Sequence, residues 1–240
     1  MNELELRIDL AAAYRLASHF GWDDLIYTHI SAKIPNTDQY LINHYGMMFS
    51  EITASSLVKV NINGDVLDNG TINPAGFFVH KAVHTGRPDV GCVMHAHTNA
   101  GIAVSADKRG LLPVSQTSTV IIPHLGYHDY RGIVLDSEEE VLLQKSLGNK
   151  KYLMLRNHGL LTAGNTVSDA FCSMHQFQKA CEIQTLTDLS NVNLISEDIL
   201  ISQQEKVSIF AHLTPPNPNK HLQWKALKRM LDKIDESYKY

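Results

Sequence analysis

Helical and extended patterns interleave along this chain, yet several extended segments follow one another directly, and that combination restricts the fold more than any other feature. Residues 3–20 carry Leu6, Leu10, Ala13, Tyr14 and Ala17 at helical spacing, and Gly21 stops the run. Ile26–Ile34 and Gln39–Asn43 alternate apolar and polar residues as strands do. Leu57–Val60 and Val66–Leu67 flank Asn63-Gly64, a dipeptide favoured in tight type I′ hairpins. Helix is expected over Ala75–Thr85, with Gly86 as its stop, then strand over Gly91–His97 and helix over Asn99–Lys108. A strand over Gly132–Leu135 and a helix over Glu138–Leu147 follow, the latter with carboxylates in its first turn. Tyr152–Arg156 and Leu160–Thr162 read as paired strands before the long apolar helix Val167–Leu189. Strands joined partly by hairpins and partly through helices predict an α/β chain whose central mixed sheet is covered by helices on both faces.

The chain has 240 residues, 44% hydrophobic and 19% charged, enough for one large domain with a sizeable core. Residues 1–200 are expected to form that domain. Residues 201–240 form a tail in which Pro215-Pro216-Asn217-Pro218 breaks the chain before a basic amphipathic helix, Leu222–Ile234, packed on the same or a neighbouring subunit. A net charge of −4 without a basic stripe argues against nucleic acid as a partner. Without an 18-residue apolar run or a basic leader, no membrane partner is expected, and the cytoplasm is the expected compartment. Cys92, Cys172 and Cys181 sit in apolar runs and read as buried free thiols.

Thirteen histidines carry the chemistry. His95 and His97 lie two apart in a strand, so both side chains point to one face and can grip one cation. His158, between Asn157 and Gly159, ends a second strand. Three neutral imidazoles plus an open position make a catalytic zinc-type site, although His-x-His alone more often marks a packed or hydrogen-bonded strand end. His84 reads as an ordinary helix residue. His80, on a helix among Phe77, Phe78 and Val83, reads as a partly buried, hydrogen-bonded one. His44, His128, Tyr127 and Tyr130 lie in segments that could approach the metal, but packing explains each, and Glu51 reads as the brace of a turn. No catalytic residue is assigned.

The run Arg87-Pro88-Asp89-Val90-Gly91-Cys92-Val93-Met94-His95-Ala96-His97-Thr98 resembles the metal-binding segment of class II aldolases, and Arg156-Asn157-His158-Gly159-Leu160 resembles their third-ligand segment. Thr28-His29-Ile30-Ser31, Thr53-Ala54-Ser55-Ser56-Leu57-Val58-Lys59, Gly110-Leu111-Leu112-Pro113 and Tyr127-His128-Asp129-Tyr130 are closer still to the head domain of adducins. The chain is therefore identified as a member of the class II aldolase/adducin family, from about residue 3 to 190. The resemblance implies a three-layer α/β/α fold on a mixed, largely antiparallel sheet, and a homo-oligomer, commonly a tetramer. It also implies a metal held by His95, His97 and His158. Zinc is the ion expected for three imidazoles, with manganese or iron as alternatives.

Enzymes of the family use that metal as a Lewis acid on sugar phosphates, with a glutamate before a helix histidine and serines that hold phosphate. Here the matching stretch is Pro74-Ala75-Gly76 before His80, and the place of a phosphate-loop asparagine holds His29. The metal half of the site is expected and the phosphate and acid/base half is not. Two readings follow. One is a metal-dependent, lyase-like enzyme on a small unphosphorylated hydroxycarbonyl or hydroxy-acid compound. The other is a catalytically silent adducin-like binding or assembly module. No adducin-type basic extension follows the head in these residues, which turns the expectation towards an enzyme.

Overall fold

The computed structural model describes residues 2–133, 136–203 and 218–240. Seven strands form one sheet in the order β3-β2-β1-β4-β7-β6-β5. They are β1 (His29–Lys33), β2 (Gln39–Ile42), β3 (Val58–Asn61), β4 (Cys92–Ala96), β5 (Leu125–His128), β6 (Tyr152–Leu155) and β7 (Gly159–Gly164). Every neighbouring pair is antiparallel except β5 and β6 at one edge. The helices are α1 (Glu3–His19), α2 (Pro74–Gly86), α3 (Asn99–Ala106), α4 (Gln116–Ile121), α5 (Ser137–Leu147) and α6 (Val167–Leu186), and Pro218–Ile234 forms the C-terminal helix.

Side-chain alternation along the strands sorts the core into two sides. Ile30, Ala32, Met94, Met154 and Leu160 face α1 and α6. Val93, Leu153, Leu161 and Ala163 face α2 and α5. This is the expected three-layer α/β/α architecture with a mixed, largely antiparallel sheet. The C-terminal helix closes on α1 and α6: Trp224 lies 5.6 Å from Phe171 between ring centroids, and Lys228 pairs with Asp9 at 2.7 Å. The three cysteines are buried and free. Among the described residues no helix is long and apolar enough to cross a membrane.

Several boundaries differ from the sequence reading, each for a local reason. The strand expected over Ile26–Ile34 begins only at His29, because Leu25 and Thr28 adopt left-handed backbone (φ 51° and 65°). Asn63-Gly64 does not close a type I′ hairpin. That turn needs positive φ at both residues and only Gly64 has it, while the Asn61 side chain accepts from the Asn63 and Asp65 amides instead. The second strand of that pair shrinks to a single bridge, Val60 to Val66. Gly132 and Ile133 form a bend rather than the expected strand, and Val134 and Leu135 lie outside the described residues. The edge strand is Leu125–His128 instead. Pro215, Pro216 and Asn217 of the expected chain break lie outside the described residues.

Candidate metal centre

β4 carries His95 on the α2/α5 side of the sheet, and His97 follows just beyond the strand end. β7 runs antiparallel beside β4, with Ala96 opposite Leu160, so the turn before β7 comes level with His97. Asn157 sits in left-handed backbone (φ 57°) to make that turn, and Gly159 permits the close approach. A Cβ on Gly159 would stand 2.5 Å from the Ala96 carbonyl oxygen. The three rings meet with centroids 4.6–4.8 Å apart. His97 Nε2 lies 2.8 Å from His95 Nε2 and 2.9 Å from His158 Nε2. Sequence reasoning anticipated this trio, and the fold brings all three together.

The other ring nitrogens show what the trio can hold. His95 Nδ1 donates to the Leu160 carbonyl at 2.9 Å, and His97 Nδ1 donates to Asp24 Oδ2 at 3.0 Å. These acceptors place the proton on Nδ1 in both rings and leave both Nε2 atoms as lone-pair donors. Two lone pairs aimed at one another across 2.8 Å call for a positive charge between them. Burial, then the nearby His158 and His97, holds His95 well below the usual imidazole range. Burial and His97 bring His158 down to about 4. His95 and His158 are therefore neutral at physiological pH, and a trio of converging imidazoles fits a divalent cation. Asp24 was not foreseen in the sequence; the left-handed residues at 25 and 28 bring its carboxylate under His97.

A cavity of about 480 Å³ opens on the trio. Its walls include His29 and Gly76 on one side and His128, Tyr130 and Glu139 on the other. His128 Nε2 donates to Glu139 Oε1 at 2.7 Å, and its Nδ1 meets Ser146 Oγ at 3.0 Å, so both its nitrogens are engaged within the fold. The other candidates are elsewhere. Tyr127 stacks on Arg156 and accepts the Leu111 amide, His44 lies off the cavity, and Glu51 caps its turn by accepting the Met48 amide.

Behind His29 lies a buried string of imidazoles. Ser31 Oγ stands between His80 Nδ1 (2.7 Å) and His84 Nε2 (2.8 Å). His80 is hydrogen-bonded as expected, and more deeply buried. His84 is no ordinary surface residue: at 4% exposure it packs under Tyr40. Burial pushes His84 down to about 3 and His29 to about 4. Below pH 6.5 the unfolded chain takes up protons on these rings while the fold refuses them. Their contribution to stability is thus complete above pH 6.5 and is lost as the pH falls from 6.5 towards 3–4. Melting temperature is expected to stay level from pH 8 to 7 and to drop between pH 6 and 4.5. In His84→Leu the drop should be shallower, and equal slopes in the two proteins would contradict this account.

Residues 8–185 match the Class II Aldolase and Adducin N-terminal domain family, and the chain belongs to that family. It is similar to an aldolase II superfamily protein from Pseudomonas syringae, with a TM-score of 0.94 and 41% identity over 100% of this chain and 96% of that one. It is also similar to the L-fuculose 1-phosphate aldolase of Glaciozyma antarctica, with a TM-score of 0.83 and 26% identity over 98% of this chain and 92% of that one. Alpha-adducin of Rattus norvegicus is 51% identical over 193 residues, 78% of this chain but 26% of the adducin.

Proposed function

We propose that this chain is a divalent-metal-dependent, lyase-like enzyme acting on a small hydroxycarbonyl or hydroxy-acid compound without a phosphate group. The observation that carries the reading is the convergence of three Nε2 atoms with two of the rings anchored through Nδ1. His95, His97 and His158 would hold the ion. When bound, such an ion supplies Lewis-acid polarisation of a substrate oxygen. The protein's own part is to keep His95 and His158 neutral, to fix His95 and His97 in direction, and to enclose the ligand in a cavity of small-molecule size. At the start of α2 Pro74 and Ala75 carry no hydroxyl to hold a sugar phosphate, and Gly76 has no side chain to serve as acid or base. That is why the substrate is placed outside the sugar phosphates.

The resemblance to alpha-adducin, greater in identity than that to the fuculose phosphate aldolase, favours a second reading: a binding or assembly module. Metal separates the two. Purified protein is expected to take up about one zinc, manganese or iron ion per chain, the stoichiometry of a single three-ligand site. Elemental analysis of wild type beside His158→Ala is the measurement. Equal metal in both proteins, or none in either, would rule out the enzyme reading.

A further inference from the structure

His29 is not accounted for by the fold. It is 5% exposed, and among the described residues neither ring nitrogen has a hydrogen-bond partner. Leaving a buried polar atom unmet costs about 1–3 kcal/mol, so a leucine would serve this position better if packing were its only task. The neighbouring His80 and His84 differ, since each has one nitrogen bonded to Ser31. His29 also stands where chemistry is expected. It lines the histidine cavity, and on the sheet it is the register partner of His95.

Its ring edge lies in the notch over Gly76. A Cβ built on Gly76 would fall 1.9 Å from His29 Cε1, 2.3 Å from Nε2 and 2.4 Å from Nδ1. The imidazole therefore occupies the volume a side chain at position 76 would need. Two separate departures in the sequence, a histidine at 29 and a glycine at 76, are one spatial exchange. No hydrogen bond among the described residues fixes the ring's rotation, so a turn about Cβ–Cγ can present either nitrogen to the cavity.

We infer that His29 exchanges a hydrogen bond with an oxygen of the bound hydroxycarbonyl or hydroxy-acid ligand, taking over the wall position that Gly76 leaves without a side chain. The inference rests on the metal reading of the cavity. An imidazole can both donate and accept, which suits a ligand that carries a hydroxyl beside a carbonyl or carboxylate. The group is a ligand contact and is not needed to hold the ion.

The test uses the full chain loaded with cobalt(II), whose visible bands report on its surroundings, titrated with glycolate. Wild type should shift its bands as glycolate binds. His29→Leu should keep its cobalt and melt at or above the wild-type temperature, yet bind glycolate about tenfold or more weakly, the loss expected for a hydrogen bond to a charged group. His29→Gln, which retains a donor and an acceptor, should recover part of that loss. Unchanged glycolate affinity in His29→Leu overturns the inference and leaves the metal reading standing, as does a wild type that takes cobalt but shows no response to glycolate. A large fall in the melting temperature of His29→Leu, with glycolate affinity intact in His29→Gln and His29→Leu alike, identifies a structural residue and overturns it too. Wild type that takes up no cobalt overturns both readings together.

Discussion

Gly76→Ala is expected to destabilise the protein sharply, although it adds one methyl group to a first-turn helix position where alanine is normally welcome. The new Cβ would meet the His29 ring at 1.9–2.4 Å, and the ring is buried among packed elements. Overpacking of this kind costs about 1–3 kcal/mol, and at the upper end that lowers the melting temperature of a chain this size by roughly 6–12 °C. Removing the obstacle should restore the loss. In the double variant His29→Ala/Gly76→Ala the penalty of the alanine at 76 should fall by about 1 kcal/mol or more, a coupling typical of residues in contact. Thermal or urea melts of the four proteins supply the cycle, and strictly additive effects would mean that the ring and the glycine do not compete for space. Gly76→Glu meets the same obstacle before its carboxylate reaches the cavity. With Pro74 and Ala75 offering no hydroxyl, it is expected to give no cleavage of fuculose-1-phosphate; clear turnover would show that the α2 wall has been misread.

The second large effect concerns the metal. His95→Ala removes one of the three converging imidazoles, and on the proposed reading it abolishes metal retention through gel filtration. Asp24→Asn is the more informative partner. Asp24 accepts from His97 Nδ1 and so fixes which nitrogen of His97 faces the other two rings. An asparagine can present its amide NH₂ there instead, which favours the wrong tautomer. Loss of such an outer partner usually costs about 10–100-fold in metal affinity. Competition with a chromophoric chelator should therefore rank wild type above Asp24→Asn, and Asp24→Asn above His95→Ala. An Asp24→Asn protein with wild-type affinity would show that the hydrogen bond has no part in holding the centre.

What could be read from the sequence depended on how local the signal was. Helices α1, α2, α3, α5 and α6 declared themselves through periodicity, with glycine stops after the first two, and the trio through two strand-end motifs; the six-residue α4 (Gln116–Ile121) is too short to show a periodicity and was not anticipated. Asp24 gave no sign, because the left-handed turn that delivers it is built from Leu25 and Thr28 and not from glycine or asparagine. The edge strand β5 was hidden by its own packing. A Cβ on Gly126 would come within 2.3 Å of the Ser146 carbonyl oxygen, so close contact with α5 demands the residue that most weakens a strand pattern. Gly132–Leu135, with three branched apolar residues, looked more strand-like than the segment that forms the strand. The Gly76–His29 exchange involves positions 47 apart in sequence, and nothing but the folded backbone shows that they share one volume.

The parallel pair β5 and β6, the one such pair among the described residues, gives the cavity two walls of different construction. Antiparallel ladders fix His95 through its register on β4, and the paired ends of β4 and β7 hold His97 and His158 just beyond them, so the trio cannot shift without disturbing several strands at once. The opposite wall comes from the far end of β5, the segment 129–133 and the first turn of α5, where a parallel crossover leaves an open crevice of the kind that accommodates ligands in α/β sheets. Exchanges at Tyr130 or Ile133, which are 57% and 86% exposed, alter the shape and polarity of that crevice and leave the ladder register untouched. In engineering terms, the molecule has a rigid imidazole mount and a separately adjustable cavity wall.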